Sequence, residues 1–383
     1  MERRRSVQRE ARQKVRETDA ARWASIILLI ILFLAYGIAG CGREGSFSSS
    51  GDLEVERHGH AAVLLRDGSV LVMGGLTKRH PLPSAERFNP IDGSFRPVKS
   101  RLPRPSGWAA AAMLPDGRAL YVGGWLDVHT VLADGALFLP DKGVFVPTRG
   151  KLATPRYDHT ATALSDGSAL IAGGNNGKEA VSFTERYLPG EDRFLPARRM
   201  LFARQQHTAS LLPDGRVLIV GGNPKAKYGE LYDPRDGRFR PTRGRMTGPR
   251  RRHTATLLDD GRVLIAGGWD EKALGSAEVF DPRTGSFLAT AGPLLHARQQ
   301  HAAVRLPDGT VLLIGGRGTE ETLRSAEVFD PRTGRFSEAP GRLRHARRLF
   351  TATVLSDGRV LVVGGAGDRD VLRKAEIFTP LSR

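Results

Sequence analysis

The chain has 383 residues, with 45 Gly, 23 Pro and 40% hydrophobic residues, a globular composition long enough for one large domain or two ordinary ones. Its 58 Lys+Arg against 41 Asp+Glu give a formal charge of +17, which favours anionic partners and says nothing about fold. A single cysteine, Cys41, excludes an intramolecular disulfide and a thiolate metal cluster, so the fold must stand on its core.

The first element is an address. Residues 1–22 carry eight Lys+Arg against four acids, and the run from Trp23 to Ala39 is apolar and uncharged. That run is at the short edge of what spans a bilayer. A positive flank, an apolar stretch and small residues make a secretory signal pattern. The positive-inside rule puts residues 1–22 in the cytoplasm and everything after Cys41 outside. Ile38-Ala39-Gly40-Cys41 resembles the lipobox of bacterial lipoproteins. The resemblance implies cleavage before Cys41 and acylation of that cysteine. The alternative is an uncleaved helix that anchors the chain. Either way, a membrane-anchored, extracytoplasmic protein of the bacterial cell envelope is predicted, with residues 1–40 as signal or anchor and 41–44 as tether. Residues 41–383 keep 50 Lys+Arg against 37 Asp+Glu, so the exported part is basic in its own right. Export argues against a nucleic-acid partner.

From residue 45 to 380 the chain repeats itself. Gly-Gly pairs stand at 74–75, 123–124, 173–174, 221–222, 267–268, 315–316 and 364–365, at intervals of 46 to 50 residues. Seven units at a nearly fixed period of this size indicate a propeller or another repeat array. Each unit reads as four short strands. In the fourth unit these are His207–Leu212, Arg216–Gly222, Glu230–Asp233 and Arg238–Pro241. The Asp214-Gly215 turn joins the first two, and Pro234 to Gly237 joins the last two. First strands are rich in Ala and Thr, as expected where strands crowd round a shared axis. Phe239, Phe287 and Phe336 fall on outer strands, where they can pack between blades.

These units resemble kelch repeats. A Gly-Gly follows the second strand, an acidic-aromatic third strand comes next (Glu278-Val279-Phe280-Asp281), and then "PRTG-F". The resemblance implies an all-β, seven-bladed propeller. Unit seven ends at "AEIFTPLSR", without a fourth strand. "GSFSSSGDL" near the start places Gly45 and Phe47 at the phase of Gly285 and Phe287. The N-terminal segment is therefore predicted to complete the last blade and remove its open edge.

The short, uniform Asp-Gly and Pro-x-x-Gly turns belong to one face. The loops after Gly-Gly and the interblade linkers belong to the other, and they vary, as binding loops do. "R-x-x-H" opens most units, giving Arg57, Arg156, Arg204, Arg250 and Arg298 with their histidines, and Arg347 with Phe350. Unit two aligns with Trp108 in the histidine place. Because aromatics replace the histidine, it reads as packing and no metal site is expected. In kelch relatives, arginines at this phase line pockets for acidic ligands; equally, they can bond linker carbonyls between blades. Trp125 and Trp269 directly follow Gly-Gly and can stack on a sugar or plug the mouth. The reading is a non-catalytic binding protein without cofactor, for an anionic, glycan or protein ligand at the mouth. A sialic-acid mutarotase-like enzyme and a passive envelope scaffold are the alternatives. Copper-radical oxidases of this fold need a cysteine cross-linked to tyrosine, and the only cysteine lies outside the repeats.

Overall fold

The computed structural model describes residues 45–381. The hydrophobic segment, the tether and Cys41 lie outside the described residues. Among the described residues every regular element is a strand. Seven four-stranded antiparallel sheets form the blades of a propeller.

The second strands follow from their sequences. Val217–Val220 (VLIV) and Val311–Ile314 (VLLI) are apolar throughout, and all seven such strands are fully buried. A strand covered on both faces has no use for polar alternation. The first strands, such as Thr160–Ala163 (TATA), are small and half-buried around the axis. The core is divided into seven clusters, one at each blade interface. Between blades 4 and 5, for example, Leu212, Leu218, Val220 and Met246 meet Val263, Ile265 and Phe280. On every third strand an aromatic ring meets the phenylalanine of the fourth strand at 4.8 to 5.0 Å, tilted. Such pairs add about 0.5–1.5 kcal/mol beyond area burial.

The ring closes as the sequence predicts. Ser46–Ser49 pairs antiparallel with Ala375–Thr379, and Phe47 stands opposite Phe378. The last blade thus takes its outer strand from the beginning of the chain.

The two repeated turn motifs are scaffold. Asp214 Oδ1 accepts the Arg216 backbone N–H at 3.0 Å, and Gly215 takes φ +86° between them. On the same face Arg216 donates to the Pro282 carbonyl of the next blade at 3.2 Å. Gly221 has φ +70°, and a Cβ there would lie 2.4 Å from the Arg250 carbonyl oxygen. The Gly-Gly pair exists because the next blade's linker crosses directly over it.

Candidate functional site

Arg57, Arg156, Arg204, Arg250, Arg298 and Arg347 do not line the mouth. Each is essentially fully buried and pairs with a buried glutamate on the third strand of its own blade, at 2.5 to 3.0 Å. Arg298 shows the pattern: Nη2 donates to Glu327 Oε1 at 2.5 Å and Nη1 to the Gly315 carbonyl at 2.6 Å. Glu327 also accepts the backbone N–H groups of Leu295 and His296 in the incoming linker. The pair therefore stitches linker, second strand and third strand together. Burial lowers each guanidinium pKa from its ordinary value, and the partner carboxylate opposes that. Of the two roles the sequence leaves open, the structure places these arginines in the architectural one.

Blade 2 departs from the others, and its departure is coherent. Ser106 stands in the arginine place and Ala136 in the glutamate place, so both charges are absent together. Tyr121 fills the gap, its hydroxyl 3.0 Å from Ser106 Oγ. Removing one partner of a buried pair leaves an uncompensated charge, typically costing about 3–5 kcal/mol. Arg298→Ala is accordingly expected to lose stability on that scale in a chemical denaturation series, and the exposed Arg251→Ala less than about 0.5 kcal/mol. Equal losses for the two would refute the structural role of the pair.

The histidines are buried as well. His60, His207, His253 and His301 bring Nε2 to within 2.9–3.2 Å of Thr351, Thr160, Thr208 and Thr254 on the first strand of the preceding blade. Burial pushes His60 and His207 down to about 3 and holds His159, His253 and His301 well below the usual range. His159 faces Ala110 instead of a threonine, and both of its ring nitrogens are buried without a partner among the described residues. Ala110→Thr is expected to supply the missing hydroxyl and raise stability by about 1 kcal/mol in thermal melts. No three His, Cys, Asp or Glu side chains among the described residues come together as metal ligands.

The mouth is built from residues that the sequence pattern passes over. One residue per blade takes a left-handed conformation: Gly59, Trp108, Asp158, Gln206, Arg252, Gln300 and Leu349, with φ between 52° and 58°. Each N–H donates to the carbonyl of its counterpart in the preceding blade, at 2.9 to 3.1 Å, and the seventh bond returns to the first residue. This closed belt fixes Trp108 at the belt position; Ala109 holds the histidine place. The blade-2 alignment is thereby corrected. Above the belt lies a cleft of about 540 Å3. Its first wall is aromatic, with Trp108 6.1 Å from Tyr157. Trp125 backs this wall, 5.4 Å from Trp108. Trp269 stands behind Arg251, paired with it through a backbone bridge. Neither Trp125 nor Trp269 lines the cleft itself.

Next to it round the belt, the lining is polar and tightly connected. Gln206 Nε2 donates to Asp158 Oδ2 at 2.8 Å, and Arg252 Nε donates to Gln206 Oε1 at 3.0 Å. Arg252 Nη1 reaches Gln299 at 3.4 Å, and Nη2 has no partner among the described residues. Burial raises the Asp158 pKa, while Gln206 and Arg252 hold it down. The arrangement offers a ring-stacking surface, amide groups and a positioned guanidinium around one cleft.

A seven-bladed propeller with a closed axial belt and a polar mouth defines the class. The kelch motif family matches residues 250–288 and 300–341, which are blades 5 and 6. The same four-strand unit is repeated round the ring, and the chain is a kelch-repeat β-propeller. No curated protein matches it. Among solved structures it is similar to a novel fungal alcohol oxidase of the AA5 family, in complex with copper. That similarity has a TM-score of 0.71 and 18% identity over 88% of this chain and 76% of that one, and it concerns the fold alone.

Proposed function

We propose that the chain is a binding protein whose axial mouth takes an anionic or glycan ligand. Its N-terminal segment anchors it outside the cytoplasmic membrane, through acylated Cys41 or a retained helix. The observation that carries this reading is the belt. Six of its seven residues hold a side chain in a conformation that costs L-residues about 1–2 kcal/mol, although Gly59 shows that the fold accepts glycine there. The six side chains are of five kinds, with Gln206 and Gln300 alike, whereas the scaffold positions repeat. Strain kept for unlike side chains around one cleft is explained by recognition. Trp108 would stack on a ring, and Arg252 would donate charge-assisted hydrogen bonds to an anionic group.

The test is a glycan screen on the full chain in detergent, followed by calorimetry on Trp108→Ala and Arg252→Gln. Each substitution is expected to weaken binding about tenfold or more, roughly 1.4 kcal/mol, with melting unchanged. A ligand that keeps full affinity for both variants would move the site away from the mouth. The second reading, a carbohydrate-active enzyme, draws on Asp158, a carboxyl with a raised pKa inside the cleft. Turnover of a bound sugar that Asp158→Asn abolishes without loss of binding would favour it.

A further inference from the structure

The mouth does not stand on an evenly charged face. The four linkers that follow blades 1, 2, 3 and 4 run from the outer strands to the mouth. They hold nine Lys and Arg, from Lys99 to Arg245, every one exposed, and no Asp or Glu. The fold does not require this. The corresponding linker after blade 5, residues 290–297, has no Lys, Arg, Asp or Glu, and the one after blade 7 carries Asp52, Glu54 and Glu56; only the linker after blade 6, with exposed Arg342 and Arg344, is also basic. Like charges on neighbouring linkers repel, and few are locally compensated. Lys151 and Arg104 share Asp134 at 2.8 and 3.9 Å. Arg199 and Arg245 lie over the rings of Phe183 and Tyr228. Lys99, Arg101, Arg149, Arg198 and Arg243 pair with no acid among the described residues. The aromatic wall of the mouth belongs to blades 2 and 3, inside this same sector.

Resting on the mouth reading, we infer that the ligand is an acidic polysaccharide. One sugar ring is seated against Trp108, and the chain runs outward over the linkers of blades 1 to 4. The mouth supplies one stacking surface at the axis. The linkers supply cations at successive blades; the neighbouring rings Phe183 and Tyr228 are covered by arginines, and the linkers' own aromatic ring, Phe202, is half-buried. A single-stranded nucleic acid needs a row of stacking platforms along its path, and among the described residues this arc offers one half-buried ring, Phe202. A polymer with one carboxylate per ring and no base to stack fits both parts.

The experiment compares galacturonic acid with its octamer on the full chain in detergent. The octamer is expected to bind at least tenfold more tightly at low salt. Most of that gain should vanish at 0.5 M salt, because the arc is solvated and screened. A variant with Lys99, Arg149, Arg198 and Arg243 all changed to Gln should bind the monomer like the parent and lose the octamer's gain. Trp108→Ala should lose the monomer. Equal affinity for monomer and octamer, or a length gain that survives the four substitutions, would overturn the arc. An oligodeoxynucleotide of equal charge binding as tightly as the octamer would overturn the choice of polysaccharide. Octamer binding that Trp108→Ala leaves intact and the four substitutions abolish would overturn the mouth reading and leave the arc standing.

Discussion

Acidification from pH 7 to pH 5 should remove on the order of 10 kcal/mol of folding stability, well before the carboxylates titrate. The source is the five buried histidines at blade interfaces 7/1, 2/3, 3/4, 4/5 and 5/6. All are neutral in the folded chain because burial depresses their pKa, to about 3 for His60 and His207. In the unfolded chain they titrate near the ordinary 6.5. Below 6.5 the unfolded state binds more protons, so the stability that is full above that pH falls as pH drops towards about 3. Each histidine loses roughly 1.4 kcal/mol per pH unit in that window. Blade 7 suggests the control. There Phe350 replaces the histidine, and Ala302 stands in the place that threonine holds opposite His60, His207, His253 and His301. Thr254→Ala combined with His301→Phe copies that interface, and should fold at pH 7 with about one fifth less acid sensitivity. Denaturation curves that coincide at pH 7 and pH 5 would rule the histidines out as its source.

Removing the closing strand should be nearly as damaging. Deletion of residues 42–50 takes Phe47 from its 4.9 Å contact with Phe378 and leaves Ala375–Thr379 as an unpaired edge. Losing a core phenylalanine alone typically costs about 3–5 kcal/mol, and the ladder of backbone hydrogen bonds goes with it. An open edge is also a template for pairing with another chain. Lower melting together with concentration-dependent oligomers in light scattering is the expected result. Phe47→Ala, which keeps the strand, should melt early but stay monomeric. A deletion variant that melts like the parent and remains monomeric would mean that the ring holds without the strand.

The fold was legible because one four-strand sentence is written seven times, and each copy corrects the reading of the others. The closure was legible because the sentence breaks off at one end and resumes at the other. The role of the arginines was harder to read, since each partner glutamate lies 26 to 29 residues away on another strand. A signal existed nevertheless. Blade 2 lacks the arginine and the glutamate together, which is how a buried pair behaves and how a surface cluster need not. The mouth was missed for a different reason. Its residues occupy the variable letter before the histidine, and a left-handed φ leaves no mark on the sequence when the residue is not glycine. In blade 2 both landmarks are absent, so Trp108 slid by one position in the alignment.

The belt has a consequence for how this protein can change. Every amide N–H at those seven positions is spent on its neighbour, and the peptide dipoles circulate around the axis instead of pointing along it. The backbone therefore offers a ligand no donor at the belt, and discrimination there falls to the side chains. Each of those side chains is encoded by a single codon and stands apart from the interblade core clusters, although Asp158, Gln206 and Arg252 are bonded to one another. The mouth is a seven-letter address that can be rewritten one letter at a time while the wheel that carries it stays the same.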